Sequence, residues 1–103
     1  MRNMNDILRQ AQVMQHKIAK LQQDAASKTF EATSGGGMVT AVVTGKQELK
    51  TLTIDPKAME GGDVEMLQDL VIAAVNEANR IARESLEREM SNISGGIRLP
   101  GVF

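Results

Sequence analysis

The sequence predicts an α+β protein whose protomer has the element order α-β-β-β-α, in which a three-stranded antiparallel meander is flanked by two long helices. The first part of the chain carries a heptad repeat of apolar residues, the middle has three β-branched segments separated by short turns, and a long amphipathic stretch follows. The length of 103 residues predicts a single domain. We divide it into a helix at 4–26, a sheet at 28–54, a helix at 63–92 and an apolar tail at 97–103.

The first predicted helix has a seam of apolar residues that alternate in steps of three and four. Its members are Met4, Ile7, Ala11, Met14, Ile18, Leu21 and Ala25. This spacing places them on one helix face and is typical of a coiled-coil contact. Asn3 or Asn5 is expected to cap the helix, because a capping asparagine accepts a hydrogen bond from a backbone N–H of the first turn.

Three strands are predicted after this helix, at residues 29–34, 38–44 and 48–54. The first turn is Gly35-Gly36-Gly37, whose glycines we expect at positive backbone angles, and the second is Gly45-Lys46-Gln47. Because a parallel pairing needs a crossover of a dozen or more residues, strands joined by turns this short pair in antiparallel fashion.

A second long helix is predicted after the sheet. Asp55-Pro56 indicates a capped single turn, and Asp63 is then expected to cap a helix that ends near Asn92, ahead of Ser94-Gly95-Gly96. The apolar stripe of this helix comprises Leu67, Leu70, Val71, Ala74, Val75, Ala78, Ile81, Ala82 and Leu86. The tail at 97–103 is too apolar for a solvated linker.

Element lengths predict that the helices overhang the sheet. A strand of seven residues spans about 23 Å, whereas a helix of some 30 residues spans about 45 Å. The apolar stripes on the overhanging parts of the helices must be buried against another surface. We therefore expect the two helices to pack as an antiparallel pair and the sheets of two protomers to join in a two-fold symmetric homodimer.

The composition is poor in catalytic groups. The chain has no Cys, and so no thiolate nucleophile, disulfide or Cys-ligated zinc, and its one histidine, His16, lies on a helix rich in Gln and Lys. The run from Ser34 to Gly37 lacks the spacing of a phosphate-binding loop and does not open a helix. We predict that the protein is not an enzyme and uses neither a cofactor nor a small-molecule substrate.

Metal and membrane roles are not favoured either. Asp63, Glu65 and Asp69 form a loose acidic group, but stabilisation of a helix N-terminus explains the first two, and no EF-hand loop surrounds them. The sequence has no signal-peptide pattern and no apolar stretch near the roughly 18 residues that a membrane span needs. We therefore expect a cytoplasmic location.

Charge is distributed unevenly along a chain whose formal net charge is only -1. Residues 1–28 hold five basic and two acidic residues, residues 29–62 three and four, and residues 63–103 four and seven. The basic excess therefore lies on the first helix. Arg2, Arg9 and His16 recur every seven residues opposite the apolar seam, and Lys17 has no acidic partner at helical spacing.

The second helix carries a ladder of opposite charges. Pairs at i,i+4 are predicted for Arg80–Glu84, Arg83–Glu87 and Glu84–Arg88, which would neutralise its basic groups locally. Aromatic residues are limited to Phe30 and Phe103, which argues against stacking of single-stranded nucleic acid. The sequence is still compatible with contact to a nucleic-acid duplex through its phosphates.

Taken together, the motifs resemble the YbaB/EbfC family of bacterial nucleoid-associated proteins over nearly the whole chain. The residues that carry the resemblance are Gln10-Ala11-Gln12-Val13-Met14-Gln15, Gly35-Gly36-Gly37-Met38-Val39, Ile54-Asp55-Pro56, Glu65-Met66-Leu67-Gln68-Asp69-Leu70, Ala73-Ala74-Val75-Asn76-Glu77-Ala78 and Leu99-Pro100-Gly101-Val102-Phe103.

The resemblance implies a dimer that is joined through its sheets, has projecting helix pairs and binds double-stranded DNA at the nucleoid. Binding in the family is attributed to the projecting helices, which here are the first helix and the end of the second. The phosphate-contacting residues expected on this basis are Arg2, Arg9, Lys17 and Lys20, with Arg88 and Arg98 secondary.

A protein-interaction scaffold or prefoldin-like holdase without DNA binding is the alternative hypothesis. Two helices that flank β-hairpins are similar to the coiled-coil arms of such chaperones. The expected helix tips, at residues 1–4 and 97–100, are both basic and apolar, so composition leaves both functions open.

Overall fold

The computed structural model describes residues 3–94 and confirms the α+β order. The elements are α1 (Met4–Ala25), β1 (Thr29–Ser34), β2 (Val39–Thr44), β3 (Leu49–Ile54), a 3₁₀ turn (Pro56–Met59) and α2 (Val64–Ser94). Their boundaries lie within two residues of the predicted ones. The tail predicted at 97–103 lies outside the described residues.

Side-chain caps fix the starts of the helical elements. Asn3, rather than Asn5, caps α1: its Oδ1 accepts a hydrogen bond of 2.9 Å from the N–H of Asp6. The carboxylates of Asp55 and Asp63 accept equivalent bonds of 2.9 and 3.0 Å at the starts of the 3₁₀ turn and α2. Each cap satisfies an N–H without a partner inside the helix and stabilises the element by about 1 kcal/mol.

The sheet has β2 at its centre and buries one face beneath α2. Val39, Ala41 and Val43 of β2 are completely buried on this face. The antiparallel register pairs Leu52 with Ala41 and Leu49 with Val43, which places both leucines on the same face. Since α2 lies against β1 and β2 rather than β3, Leu49 and Leu52 stay 50% and 38% exposed.

Small residues let α2 approach the sheet closely. Ala74, Ala78 and Ala82 recur every four residues along one helix face and are completely or almost completely buried. Larger, partly buried side chains pack around this alanine row; they are Phe30, Ile54, Leu67, Leu70, Val71, Val75 and Ile81. The apolar stripe predicted for this helix is therefore the face that forms the core.

The two β-turns use glycine for different physical reasons. In the first turn Gly35, Gly36 and Gly37 all have positive φ, between 60° and 95°, as predicted. In the second turn Gln47 takes the positive φ of 64°. Gly45 is needed instead for close approach, because a Cβ there would lie 2.5 Å from the backbone oxygen of Ala25. The Gly45 N–H donates to that same oxygen at 2.9 Å.

We expect Gly45→Ala to destabilise the protein by about 1–3 kcal/mol, since the added methyl group must push α1 away from the end of β2. Denaturant unfolding measures the change. Gly36→Asn is the matched control: nothing lies within 4 Å of a Cβ at that position, and asparagine tolerates its positive φ. Equal stability of the two variants would contradict the close-approach role of Gly45.

Within residues 3–94, the buried contacts of α1 are at its C-terminal end. Leu21 and Ala25 are buried, Ile18 is half-buried, and Ile7 and Met4 are 50% and 67% exposed. The predicted helix pair therefore covers only the last part of the seam within the described residues. The two helices thus form the expected pair over this part of α1, and the remainder of α1 extends beyond the described end of α2.

The dimensions of the molecule show how far α1 projects beyond the described end of α2. α2 is about 46 Å long, whereas the longest dimension of the molecule is 71 Å. Ala25 and Leu86 line the same cavity, so α1 meets α2 eight residues before Ser94. With a rise of about 1.5 Å per residue, Ser94 is roughly level with Lys17, and α1 projects some 20 Å further.

Candidate nucleic-acid interface

The basic residues predicted on α1 lie on its exposed surface. Arg9, Lys17 and Lys20 are all exposed, and none of them forms an ion pair with any residue between 3 and 94. Arg9 lies on the projecting part of the helix, about 12 Å along the axis from Lys17 and about 16 Å from Lys20. Arg2 and Arg98, which we also predicted as phosphate contacts, lie outside the described residues.

Lys28 has a structural role. Its Nζ forms an ion pair with Glu89, which links the connection between α1 and β1 to the last turns of α2. Both side chains are partly exposed, so the pair contributes no more than about 1 kcal/mol. Its consequence for the site is that one positive charge near the base of α1 is already neutralised.

The charge ladder of α2 is only partly formed. Arg80 donates hydrogen bonds to both Glu77 and Glu84. The bond from Arg80 holds the pKa of Glu77 below its usual value, and bonds to Glu77 and Glu84 raise the pKa of Arg80. Neither Arg83 nor Arg88 has an ion pair among the described residues, so the predicted Arg83–Glu87 and Glu84–Arg88 pairs are wrong.

The sequence wrongly predicted that Arg83 would be neutralised by an ion pair. The i,i+4 spacing assigned its charge to Glu87, yet both side chains are exposed and remain apart. Arg88, also exposed, is level with the base of α1, since it lies two residues beyond Leu86. Lys20 and Arg88 therefore lie at a similar position along the axis of α1, whereas Arg9 lies further towards the N-terminus of the projecting helix.

Other kinds of site have little support in this part of the chain. Residues 3–94 contain no group of three or more His, Asp or Glu side chains that could hold a metal ion. Within the same residues, neither helix combines the length and apolar character needed to cross a bilayer. The distinctive chemical feature is a projecting helix whose exposed cations form no ion pair with residues 3–94.

Comparison with known proteins identifies the class. A family model described as the YbaB/EbfC DNA-binding family matches residues 1–97. The chain therefore belongs to the YbaB/EbfC DNA-binding family.

Curated bacterial relatives of similar length match almost the whole chain. "Nucleoid-associated protein Teth39_2199" of Thermoanaerobacter pseudethanolicus is 50% identical over 101 residues, which are 98% of this chain and 91% of that protein. A "Nucleoid-associated protein" of Ruminiclostridium cellulolyticum is 52% identical over 102 residues, 98% of this chain and 89% of its own length. One of Moorella thermoacetica is 50% identical over 101 residues, 98% of this chain and 97% of its own length.

A solved structure shares the fold. The crystal structure of uncharacterized protein HP0035 from Helicobacter pylori superposes with a TM-score of 0.78 at 24% sequence identity, and the match covers 90% of this chain and 98% of that one. At this identity the similarity concerns the fold alone. It confirms the arrangement of a helix, three antiparallel strands and a long helix.

Proposed function

We propose that the protein binds double-stranded DNA as a homodimer, mainly through phosphate contacts from basic residues on its projecting helices, and so helps to organise the nucleoid or regulate genes. The observation that carries the proposal is the projecting α1, on which Arg9, Lys17 and Lys20 are exposed and form no ion pair with any residue that the structure describes. Arg88 adds a contact near the base of the helix, and Arg2 and Arg98 are expected to contribute as well.

The dimer is supported by apolar surface that a monomer leaves in water. Leu49 and Leu52 lie on the core face of β3, beyond the cover of α2, and β3 is an edge strand of the sheet. Unpaired edge groups and exposed apolar side chains together favour association of two copies. A two-fold axis beside β3 would join the sheets and present two copies of α1 to one duplex.

The mode of binding follows from the chemistry of these side chains. Lysine and arginine position a protein on phosphates and carry no base preference by themselves. Their contacts release counterions from the duplex, which makes the affinity depend steeply on salt. The negative total charge limits the affinity, because the sheet and α2 do not add long-range attraction. We expect a cytoplasmic protein associated with the nucleoid and without catalytic activity.

A salt titration with a random-sequence duplex tests the proposal. If the dimer neutralises about four to six phosphates, the logarithm of the affinity should fall against the logarithm of the salt concentration with a slope of about -4 to -5. Fluorescence anisotropy at several salt concentrations gives the slope, and a duplex of defined sequence measured in parallel reports any base preference. Affinity that does not change with salt would contradict phosphate binding.

A holdase is the second candidate, and one observation favours it. Met4, Ile7, Leu8 and Val13 are each about half exposed or more on the projecting part of α1, where apolar side chains could grip an unfolded client. Suppression of the aggregation of a denatured test enzyme, together with absence of duplex binding at low salt, would favour this function over the first.

A further inference from the structure

The projecting helix α1 carries a second stripe of residues on the face opposite its apolar seam. The members of this stripe are Arg9, Val13, His16 and Lys20, which recur in steps of four, three and four. At 3.6 residues per turn, this spacing keeps them within about 60° of one another around the helix axis. All four side chains are exposed in the part of the chain that the structure describes.

Val13 is the one large apolar residue of the stripe, and its side chain is 49% exposed. A β-branched side chain is less favourable at an exposed helix position than Ala or Gln, so helix formation does not explain it. Packing within residues 3–94 does not explain it either, because the buried residues of α1, Leu21 and Ala25, lie on the opposite face. An apolar side chain in this place is therefore a candidate for contact with a ligand.

The stripe is positively charged at both ends. Arg9 and Lys20 form no ion pair with any residue between 3 and 94, and residues 7–23 contain no Asp or Glu. The two cations are about 16 Å apart along the helix axis. Two separated phosphates complement such a pair of cations, and Val13 is then held over the surface that lies between those phosphates.

The major groove of B-DNA has the dimensions that this arrangement requires. The groove is about 12 Å wide and admits one α-helix, whose diameter with side chains is about 10–12 Å. The stripe faces away from the buried contacts of α1, so α2 does not block its approach. When Arg9 and Lys20 contact phosphates at the edges of the groove, Val13 faces the bases. The apolar group that bases present there is the 5-methyl group of thymine.

We propose that α1 lies in the major groove and that Val13 packs against thymine 5-methyl groups, so that the protein prefers sites with A·T pairs. The proposal rests on the duplex binding proposed above and adds base recognition to it, since phosphate contacts do not distinguish sequences. Valine forms no hydrogen bonds through its side chain, so the preference comes from burial of the methyl group. Each buried methyl group changes the affinity by about fourfold.

Replacement of thymidine by deoxyuridine tests the contact, because it removes the methyl group and keeps the phosphates and the base pairing. The wild-type protein and Val13→Ala are each titrated with an A·T-rich duplex and with the same duplex containing deoxyuridine in place of every thymidine. We expect the wild-type protein to bind the deoxyuridine duplex at least about threefold more weakly, and Val13→Ala to bind both duplexes equally. Equal affinity of the wild-type protein for the two duplexes would overturn the proposal.

Ile7→Ala is the matched control for Val13→Ala. Ile7 is 50% exposed, like Val13, but lies on the seam face of α1, so this variant should keep the wild-type ratio of the two affinities. An effect of the methyl groups on the shape or stiffness of the duplex acts on all three proteins and cancels when their ratios are compared. A Val13→Ala protein that kept the wild-type ratio would assign the preference to DNA shape and overturn the role of Val13.

The same titrations separate failure of this proposal from failure of duplex binding. If the wild-type protein binds both duplexes equally and with the expected salt dependence, α1 contacts phosphates alone and base recognition by Val13 is wrong. If the wild-type protein binds neither duplex at low salt, the proposed function is itself wrong, and the proposal for Val13 falls with it.

Discussion

Leu52→Glu is expected to convert the protein from a dimer into a monomer at micromolar concentration. Leu52 lies on the core face of β3, paired with Ala41, and α2 does not cover it. In the proposed dimer its side chain is buried by the partner, so the substitution removes apolar contact and leaves a carboxylate without a counter-charge. A two-fold axis doubles both effects, and the dissociation constant should rise at least about a hundredfold, or ~2.7 kcal/mol.

Sedimentation velocity over a range of concentrations measures this change. Val13→Glu is the matched control, since it introduces the same charge at another partly exposed apolar side chain, which lies on the projecting helix. The control should remain a dimer. Retention of the dimer in Leu52→Glu, or a wild-type protein that is monomeric throughout, would contradict association through β3.

The triple variant Arg9→Ala/Lys17→Ala/Lys20→Ala should lose most of its duplex affinity. These three residues are the exposed cations of α1 without ion pairs among residues 3–94. A dimer would lose six positive charges from its two projecting helices. If half of them contact phosphates, the salt slope should flatten by about 3 and the affinity at low salt should fall at least about a hundredfold.

A control variant separates the effect of total charge on duplex affinity from the effect of where the charges lie. Lys46→Ala/Lys50→Ala/Lys57→Ala removes the same total charge from exposed positions on the turns and the sheet. We expect this control to change affinity only a few-fold and to leave the slope nearly intact, because the lost charges act at long range. Equal losses in the two triple variants would show that α1 is not the contact surface.

Local chemistry made much of the fold predictable. Asn3, Asp55 and Asp63 mark the starts of helical elements through hydrogen bonds between residues two or three apart, and such interactions depend only on neighbouring sequence. The meander followed from short turns for the same reason. The buried face of α2 was predictable from its helical period, since Ala74, Ala78 and the larger side chains around them recur on one face.

How the helices pack against the sheet was harder to predict from the sequence. Periodicity assigns Leu52 to the core face of its strand, yet which strands α2 covers depends on where the helix crosses the sheet. In the same way, the pattern indicated that Gly45 forms a turn, while its close approach to Ala25 depends on the packing of α1. Neither fact is encoded in the spacing of residues along one element.

The candidate site shows the same division. The seven-residue spacing correctly placed Arg9 on an exposed helix face, because that inference needs only the helical period. Arg83 was missed because an i,i+4 partner permits an ion pair without enforcing one, and solvent competes for both long side chains. Arg80 forms its pairs because two carboxylates, those of Glu77 and Glu84, converge on one guanidinium.

In the part of the chain that the structure describes, α1 is buried at its C-terminal end and projects at the other, so it has the geometry of a lever. It is held between about Lys17 and Ala25, where Leu21 and Ala25 are buried and Ala25 contacts Gly45, and the arm from Lys17 to Met4 is about 20 Å long. A rotation of about 10° at the base of this arm would move the tip by on the order of 3.5 Å, about one rise of 3.4 Å along one DNA strand. In the proposed dimer, the distance between the two projecting helices would therefore be set by a few side chains at the base of each helix.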